Sequence, residues 1–450
     1  MSVIIMRIHI VGAGPTGLSL AWELLRSKNY EVIIYDRKPS AGGSWWEPDT
    51  VVRDLHAHRI VFDRAFVNTH SLFREMGIEW NDIFEPSTKE SFMIFMSRSL
   101  SASDYLELIY LFVKVLTVPS MYKSVTVKEA VKGLSDKGKH FIEHLTLVVD
   151  GVTWDVMSIF ELVKSIDHVA LSKEYTQKVS GKVMCDAMER AVKNAGATFV
   201  FNTELKDVTY RDDGYSATFS NDLVIDDGYL FLCVDNSPAI HLIGDNWGPD
   251  AKRKINNSTY GAINVLLEYD RPIDVGNDLE IAAMTKWDLQ PVVLSDKKTV
   301  SCVICNLTKE IMETDPGTLK AEVLDQLYLP VPKKIRIGWG AEWVDGRWTF
   351  TQSSGVLSLE GQLPFFGKCP RVAMCGMMSE RSTPYSSIEA SIEVSRELNY
   401  LCFGGRQSIQ PLHLSQLLLI LFIVLILFYI KFYFFVKFKH PCLKKMKKNI

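Results

Sequence analysis

The stretch HIVGAGPTGLSLAWELL, His9 to Leu25, constrains the fold of this chain more than any other. It reads as a short apolar strand, a glycine turn and a helix. Gly12, Gly14 and Gly17 have the spacing of a dinucleotide-binding turn. The first glycine allows the tight turn, the second lets the backbone approach a pyrophosphate, and the third lets helix pack on strand. Free N–H groups at the helix start then face the phosphates, and Pro15 suits that first turn because it has no N–H to satisfy. The next strand, EVIIYD, ends at Asp36, 24 residues after Gly12. A carboxylate there accepts hydrogen bonds from a ribose diol. Strand, turn, helix, strand and acid follow in order, which leaves NAD and FAD as the candidate ligands.

A chain of 450 residues has room for two or three domains. A formal charge of −3 gives no footprint for nucleic acid. The 8 cysteines are scattered, which is not the pattern of a disulfide framework. Cys302 and Cys305 form a CxxC within the β-branched run TVSCVICNL. Residues three apart on a strand face opposite sides of a sheet, so the pair reads as core cysteines rather than a redox or metal site.

A glycine pair, Gly42 and Gly43, follows the acid in DRKPSAGGSW. Here the sequence resembles the flavin-containing amine oxidoreductase superfamily, which includes monoamine oxidases, protoporphyrinogen oxidase, phytoene desaturases and UDP-galactopyranose mutase. In that group a GG pair after the acid passes close to the FAD pyrophosphate. Three later stretches extend the resemblance over roughly residues 7 to 404: VSGKVMCDAMERAVKNAGATFVFNTELKDV, GYLFLCVDNSPAIHLI and PRVAMCGMMSERSTPYSSIEASIEVSREL. The resemblance implies an α/β protein. Its Rossmann-type FAD-binding domain, of the glutathione-reductase kind, carries an inserted α+β substrate domain and a C-terminal transmembrane helix.

Non-covalent FAD is then expected on Gly12, Gly14, Pro15, Thr16, Gly17, Asp36, Arg37, Gly42, Gly43, Ser44, Leu205, Gly376, Met377 and Ile388. Leu205 is the expected neighbour of the adenine. The family places Gly-Asp or Gly-Glu in the flavin turn, where this chain has Gly376-Met377. Either Glu380 takes over the contact or it is lost. The implied FAD domain is discontinuous, residues 1–90, 176–245 and 365–404. A helical cap over 91–175 and a substrate-facing sheet over 246–364 are the insertions.

No second dinucleotide turn follows. GWGAEW, from Gly338, lacks the third glycine, and Gly244 and Gly248 are spaced wrongly. NADPH-dependent flavoenzymes are therefore disfavoured. Electrons come from an organic substrate and leave to O₂ or another acceptor, or the flavin begins and ends turnover in one state, as in a mutase. Loss of catalysis in an FAD-binding membrane protein is a further alternative.

The substrate site is less legible. Trp339, Trp343, Trp348 and Phe350 in IGWGAEWVDGRWTFTQSSG offer aromatic walls for a flavin pocket, or are sheet aromatics. His56, His58 and Arg59 follow the GG turn, His58 being either catalytic or a structural histidine; no third ligand supports a metal reading of the HxH. Lys286 in MTKWDLQP either resembles the lysine that holds a water near the flavin in many amine oxidases or is simply solvated.

Leu414 to Val436 is a run of 23 residues with one charge, Lys431. At about 1.5 Å per residue that spans a bilayer with some tilt, and Lys431 near its end can snorkel. Residues 405–413 form a linker, 414–436 a single-pass anchor and 437–450 a basic tail. The six tail lysines favour a cytosolic tail. MSVIIMRIHIV lacks the features of a signal peptide, so a tail anchor with the enzyme in the cytosol is the expectation. Asn256, Asn257 and Asn306 each begin an N-x-S/T triplet and report on the choice.

Overall fold

The computed structural model describes residues 6–26, 30–46, 60–87, 98–275, 285–294, 296–338, 340–350, 355–356 and 362–446. His56, His58, Arg59 and Trp339 lie outside the described residues.

Five parallel strands form the central sheet: β1 (Met6–Val11), β2 (Tyr30–Tyr35), β3 (Thr198–Val200), β4 (Tyr229–Leu232) and β5 (Val372–Met374). Their spatial order is β5-β4-β1-β2-β3. The chain runs outward from β1 first to one side and then to the other, so the order reverses between β1 and β4. That reversal opens a crevice at the carboxyl ends of the strands, where open α/β sheets bind ligands. Helices pack on one face and an antiparallel sheet of Leu205–Tyr210, Tyr215–Phe219 and Val224–Ile225 on the other, so both faces are buried and these strands are apolar runs rather than alternating ones.

The helices used below are α1 (Pro15–Leu25), α2 (Val67–Met76), α3 (Ala102–Thr117), α4 (Asp136–Asp150), α5 (Ile159–Val169), α6 (Gly181–Asn194), α7 (Ile388–Phe403) and α8 (Leu414–Met446). Helix α1 packs between the sheet and α7, and is buried almost all round. The interface holds charge as well as apolar side chains. Arg396 of α7 is fully buried and its Nε donates to Glu23 Oε1 at 3.0 Å, while Arg406 donates to Glu23 and Glu75.

Between β2 and β3 the chain builds the helical unit of α3, α4 and α5, whose core includes Val115, Phe141, Leu145 and Leu162. Serines start each helix: the side chains of Ser101, Ser135 and Ser158 accept from backbone N–H groups of the first turn. Asp104 completes a capping box on α3 and also accepts from Ser135 N and Oγ, both at 2.7 Å, tying the starts of α3 and α4 together.

Between β4 and β5 an antiparallel sheet forms in the order Gln290–Val293, Thr299–Ile304, Ile263–Glu268, Lys334–Ile337. Cys302 stands on the central Thr299–Ile304 strand, fully buried, and Cys305 follows it. Burial pushes both thiols up, Cys305 to about 12, so neither is poised as a thiolate.

Helix α8 ends the fold. Its segment Leu414–Tyr433 is long and apolar enough to cross a membrane, and beyond Leu418 it is exposed.

Candidate functional site

The two glycine turns interlock. At Gly12, φ is +108°, and a Cβ there would stand 2.2 Å from Cys233 O at the end of β4. At Gly43, φ is +56°, and a Cβ would stand 2.7 Å from Gly14 Cα. The missing side chain of Gly14 faces this second turn, with Gly43 Cα 3.3 Å from the ideal Cβ, rather than only the space for a pyrophosphate. Gly42 N donates to Ala13 O at 2.9 Å, which locks the two turns as one unit. Gly17 serves packing: a Cβ would collide with Gly12 O at 1.9 Å.

Asp36 holds the same unit from below. Its Oδ2 accepts from Ala13 N at 2.7 Å and its Oδ1 from Lys38 N at 2.8 Å. Burial raises its pKa, and the two backbone donors offset only part of that rise. Each carboxylate oxygen keeps a second lone pair for a ligand diol. Lys38 Nζ donates to Gly43 O at 2.7 Å and sits 5.0 Å from the Trp46 ring centroid. Burial lowers its pKa to about 8. Sequence reasoning missed Lys38. The available signal was a cation two residues past the strand-terminal acid.

These groups open onto a cavity of about 1150 Å³. Gly12, Gly14, Pro15, Thr16, Asp36, Arg37, Gly43, Ser44, Leu205, Gly376, Met377 and Ile388 all line it, as does Lys38. Gly17 and Gly42 stand behind the wall in the turn itself. Helix α1 points its N-terminus at the cavity with no side-chain cap, so its first N–H groups are available to an anion. On the opposite side, Met377 lines the cavity, while Glu380 is exposed and absent from the lining. Tyr385 lines the cavity nearby, stacked against Phe66 with ring centroids 6.4 Å apart.

The structure puts the other sequence candidates elsewhere. Lys286 is ion-paired with Glu310 on the surface, 61% exposed, and does not line the cavity. Trp343 and Trp348 face each other across a hairpin, Ala341–Val344 against Arg347–Phe350, with centroids 5.4 Å apart. Trp348 is buried in the core of the second sheet, its Nε1 donating to Thr314 O at 2.9 Å. Neither tryptophan lines the cavity. A cross-strand aromatic pair is favoured by the pleat itself, and a sequence pattern does not say which core such a pair fills.

The cavity continues past the turns into the helical unit, where α3, α4 and α5 supply most of the wall. Its far end includes Leu414 and Leu418 at the root of α8.

Residues 10–72 match the NAD(P)-binding Rossmann-like domain family. A comparison of the sequence with curated proteins gives no significant match. Solved structures share the fold over most of the chain. An oxidoreductase from Methanosarcina mazei superposes with a TM-score of 0.64 at 13% identity, covering 88% of this chain and 100% of its own. A putrescine oxidase bound to putrescine superposes with a TM-score of 0.61 at 14% identity, covering 89% and 99%. A protein from Pyrococcus furiosus does so with a TM-score of 0.59 at 14% identity, covering 90% and 99%. The chain thus matches an NAD(P)-binding Rossmann-like domain over residues 10–72 and shares its fold, over most of its length, with these solved structures.

Proposed function

We propose that the chain is an FAD-dependent oxidoreductase of the amine-oxidase kind, held to a membrane by the helix that begins at Leu414. The interlocked glycine turns opening on one large cavity carry this reading. The donor set suits FAD: uncapped N–H groups of α1 and the Gly14–Gly43 contact for the pyrophosphate, Asp36 for a ribose, Leu205 for the adenine, and Gly376 and Met377 beside the flavin ring. Bound there, the flavin supplies a hydride acceptor. The protein binds and orients the substrate carbon against it and excludes water with the apolar walls of the helical unit. The putrescine oxidase neighbour supports an organic substrate as the electron source. The solvated Lys286 leaves the positioning of any water to other groups.

Met377, in place of an acid, favours a second reading, a mutase-like or non-catalytic flavoprotein. One set of measurements separates them. The full chain is purified, its flavin absorbance recorded, and oxygen uptake followed with primary amines and diamines. Flavin reduction by such a substrate without NADPH supports the oxidoreductase. A flavin reduced only by dithionite or NADPH points to the mutase-like protein. A folded protein with no flavin removes FAD from the account.

A further inference from the structure

The part of the cavity inside the helical unit specifies the shape of what enters it. Leu111, Phe141, Leu145, Leu162 and Val163 are buried side chains of its wall. Three residues of the cavity wall carry a buried polar atom with no hydrogen-bond partner among the described residues: Ser165 Oγ, Gln290 Nε2 and the Tyr385 hydroxyl. All three residues line the cavity, and they are only 2%, 6% and 7% exposed. Stranded polar groups of this kind are costly until a ligand meets them. A long apolar body with a small hydrogen-bonding head satisfies both surfaces.

The route into the cavity is also marked. Leu414 and Leu418 of α8 line it, so one wall belongs to the helix long enough to cross a membrane. That root is fixed to the helical unit: Ser415 N and Oγ donate to the buried Asp167 of α5 at 2.7 and 2.8 Å. Helix α3, which also packs on α5, presents Leu106, Ile109, Tyr110 and Val113 on one face, 70%, 60%, 53% and 52% exposed. Ile109 and Val113 line the cavity as well. An exposed apolar stripe that borders the same cavity as a bilayer-crossing helix belongs in the same apolar phase.

We infer that the substrate is a long-chain amphiphile taken from the bilayer where α3 and the root of α8 border the cavity. Its chain lies among α3, α4 and α5, and its head meets the stranded hydrogen-bonding groups. This rests on the reading of the cavity as the FAD and substrate site.

The full chain is reconstituted in phosphatidylcholine vesicles containing palmitic acid with a diazirine near the chain end. The sample's flavin absorbance is recorded, it is irradiated, and the adducts are mapped by mass spectrometry. Adducts are expected on Leu145, Leu162 or Val163, competed by excess palmitic acid and not by butyric acid. Val163→Trp, which fills the chamber, should cut these adducts at least tenfold and leave those on the exposed face of α8 unchanged. If that variant does not fold, the competition on the unaltered chain decides alone. Adducts confined to α8 and the outer face of α3, or insensitive to palmitic acid, overturn the inference. Flavin present without cavity adducts removes the amphiphile and leaves FAD standing; competed cavity adducts without flavin do the reverse.

Discussion

At the scale of single residues, the site depends on a few atoms that cannot grow. Gly43→Ala should abolish FAD retention, since its Cβ would meet Gly14 Cα at 2.7 Å in a left-handed conformation. Absorbance of the purified variant near 450 nm checks this. Asp36→Ala removes the acceptor for Ala13 N as well as the ribose contact, and should weaken FAD binding by roughly 1–3 kcal/mol, read by flavin titration. Glu389 shows a different kind of constraint. Its carboxylate reaches from α7 to the start of α2, accepting from Asn68 N at 2.9 Å and Thr69 N at 2.8 Å. Burial outweighs these donors and pushes its pKa up to about 7 from 4.5. Because the folded value lies above the unfolded one, the native state binds more protons between those values. The group's contribution to stability is complete below about pH 4.5 and falls as pH rises through 7. Relative to Glu389→Gln, the unaltered chain should lose roughly 2–3 kcal/mol of stability between pH 4.5 and 7.5, by denaturant titration at each pH. A pH-independent difference would refute the assignment.

At the scale of elements, the hairpin of Trp343 and Trp348 and the root of α8 carry the testable consequences. Trp348→Ala opens a cavity in the second sheet's core and should cost about 3–5 kcal/mol in stability. The flavin spectrum of whatever folds should be unchanged, which separates a core residue from a flavin wall. A truncation to release the soluble part has a narrow window. Cutting after Gln416 keeps Ser415 on Asp167, whose side chain is 0% exposed; cutting after Pro411 removes those donors and leaves the carboxylate with fewer partners. The shorter chain should be less stable by roughly 1–3 kcal/mol, visible as a lower melting temperature. Both should leave the membrane fraction if α8 is the anchor.

At the scale of the whole molecule, orientation follows from glycan and protease access. Asn256 is exposed and is the useful reporter, whereas Asn306 is half-buried and donates to Asp288 Oδ2 at 2.7 Å. A cytosolic enzyme domain should carry no glycan and should be digested when protease is added to intact vesicles. Much of the cofactor side was legible because strand, glycine turn, helix and terminal acid are local: spacing along the chain forces their geometry. The run from Leu414 was legible for the same reason, since length and apolarity are counted along one helix. The part of the cavity inside the helical unit was not. Ser165, Gln290 and Tyr385 come from three separated segments, and only tertiary packing places them on one cavity. Trp348 and Lys286 had suitable chemistry, yet the second sheet's core takes one and solvent the other. The buried Arg396–Glu23 pair and Glu389 beneath α2 left no periodic trace either, because each partner lies hundreds of residues from the other. Sequence by itself determined the dinucleotide turn and the apolar helix, where chemistry and neighbours are consecutive. The shape and polarity of the cavity were decided only when distant helices packed around it.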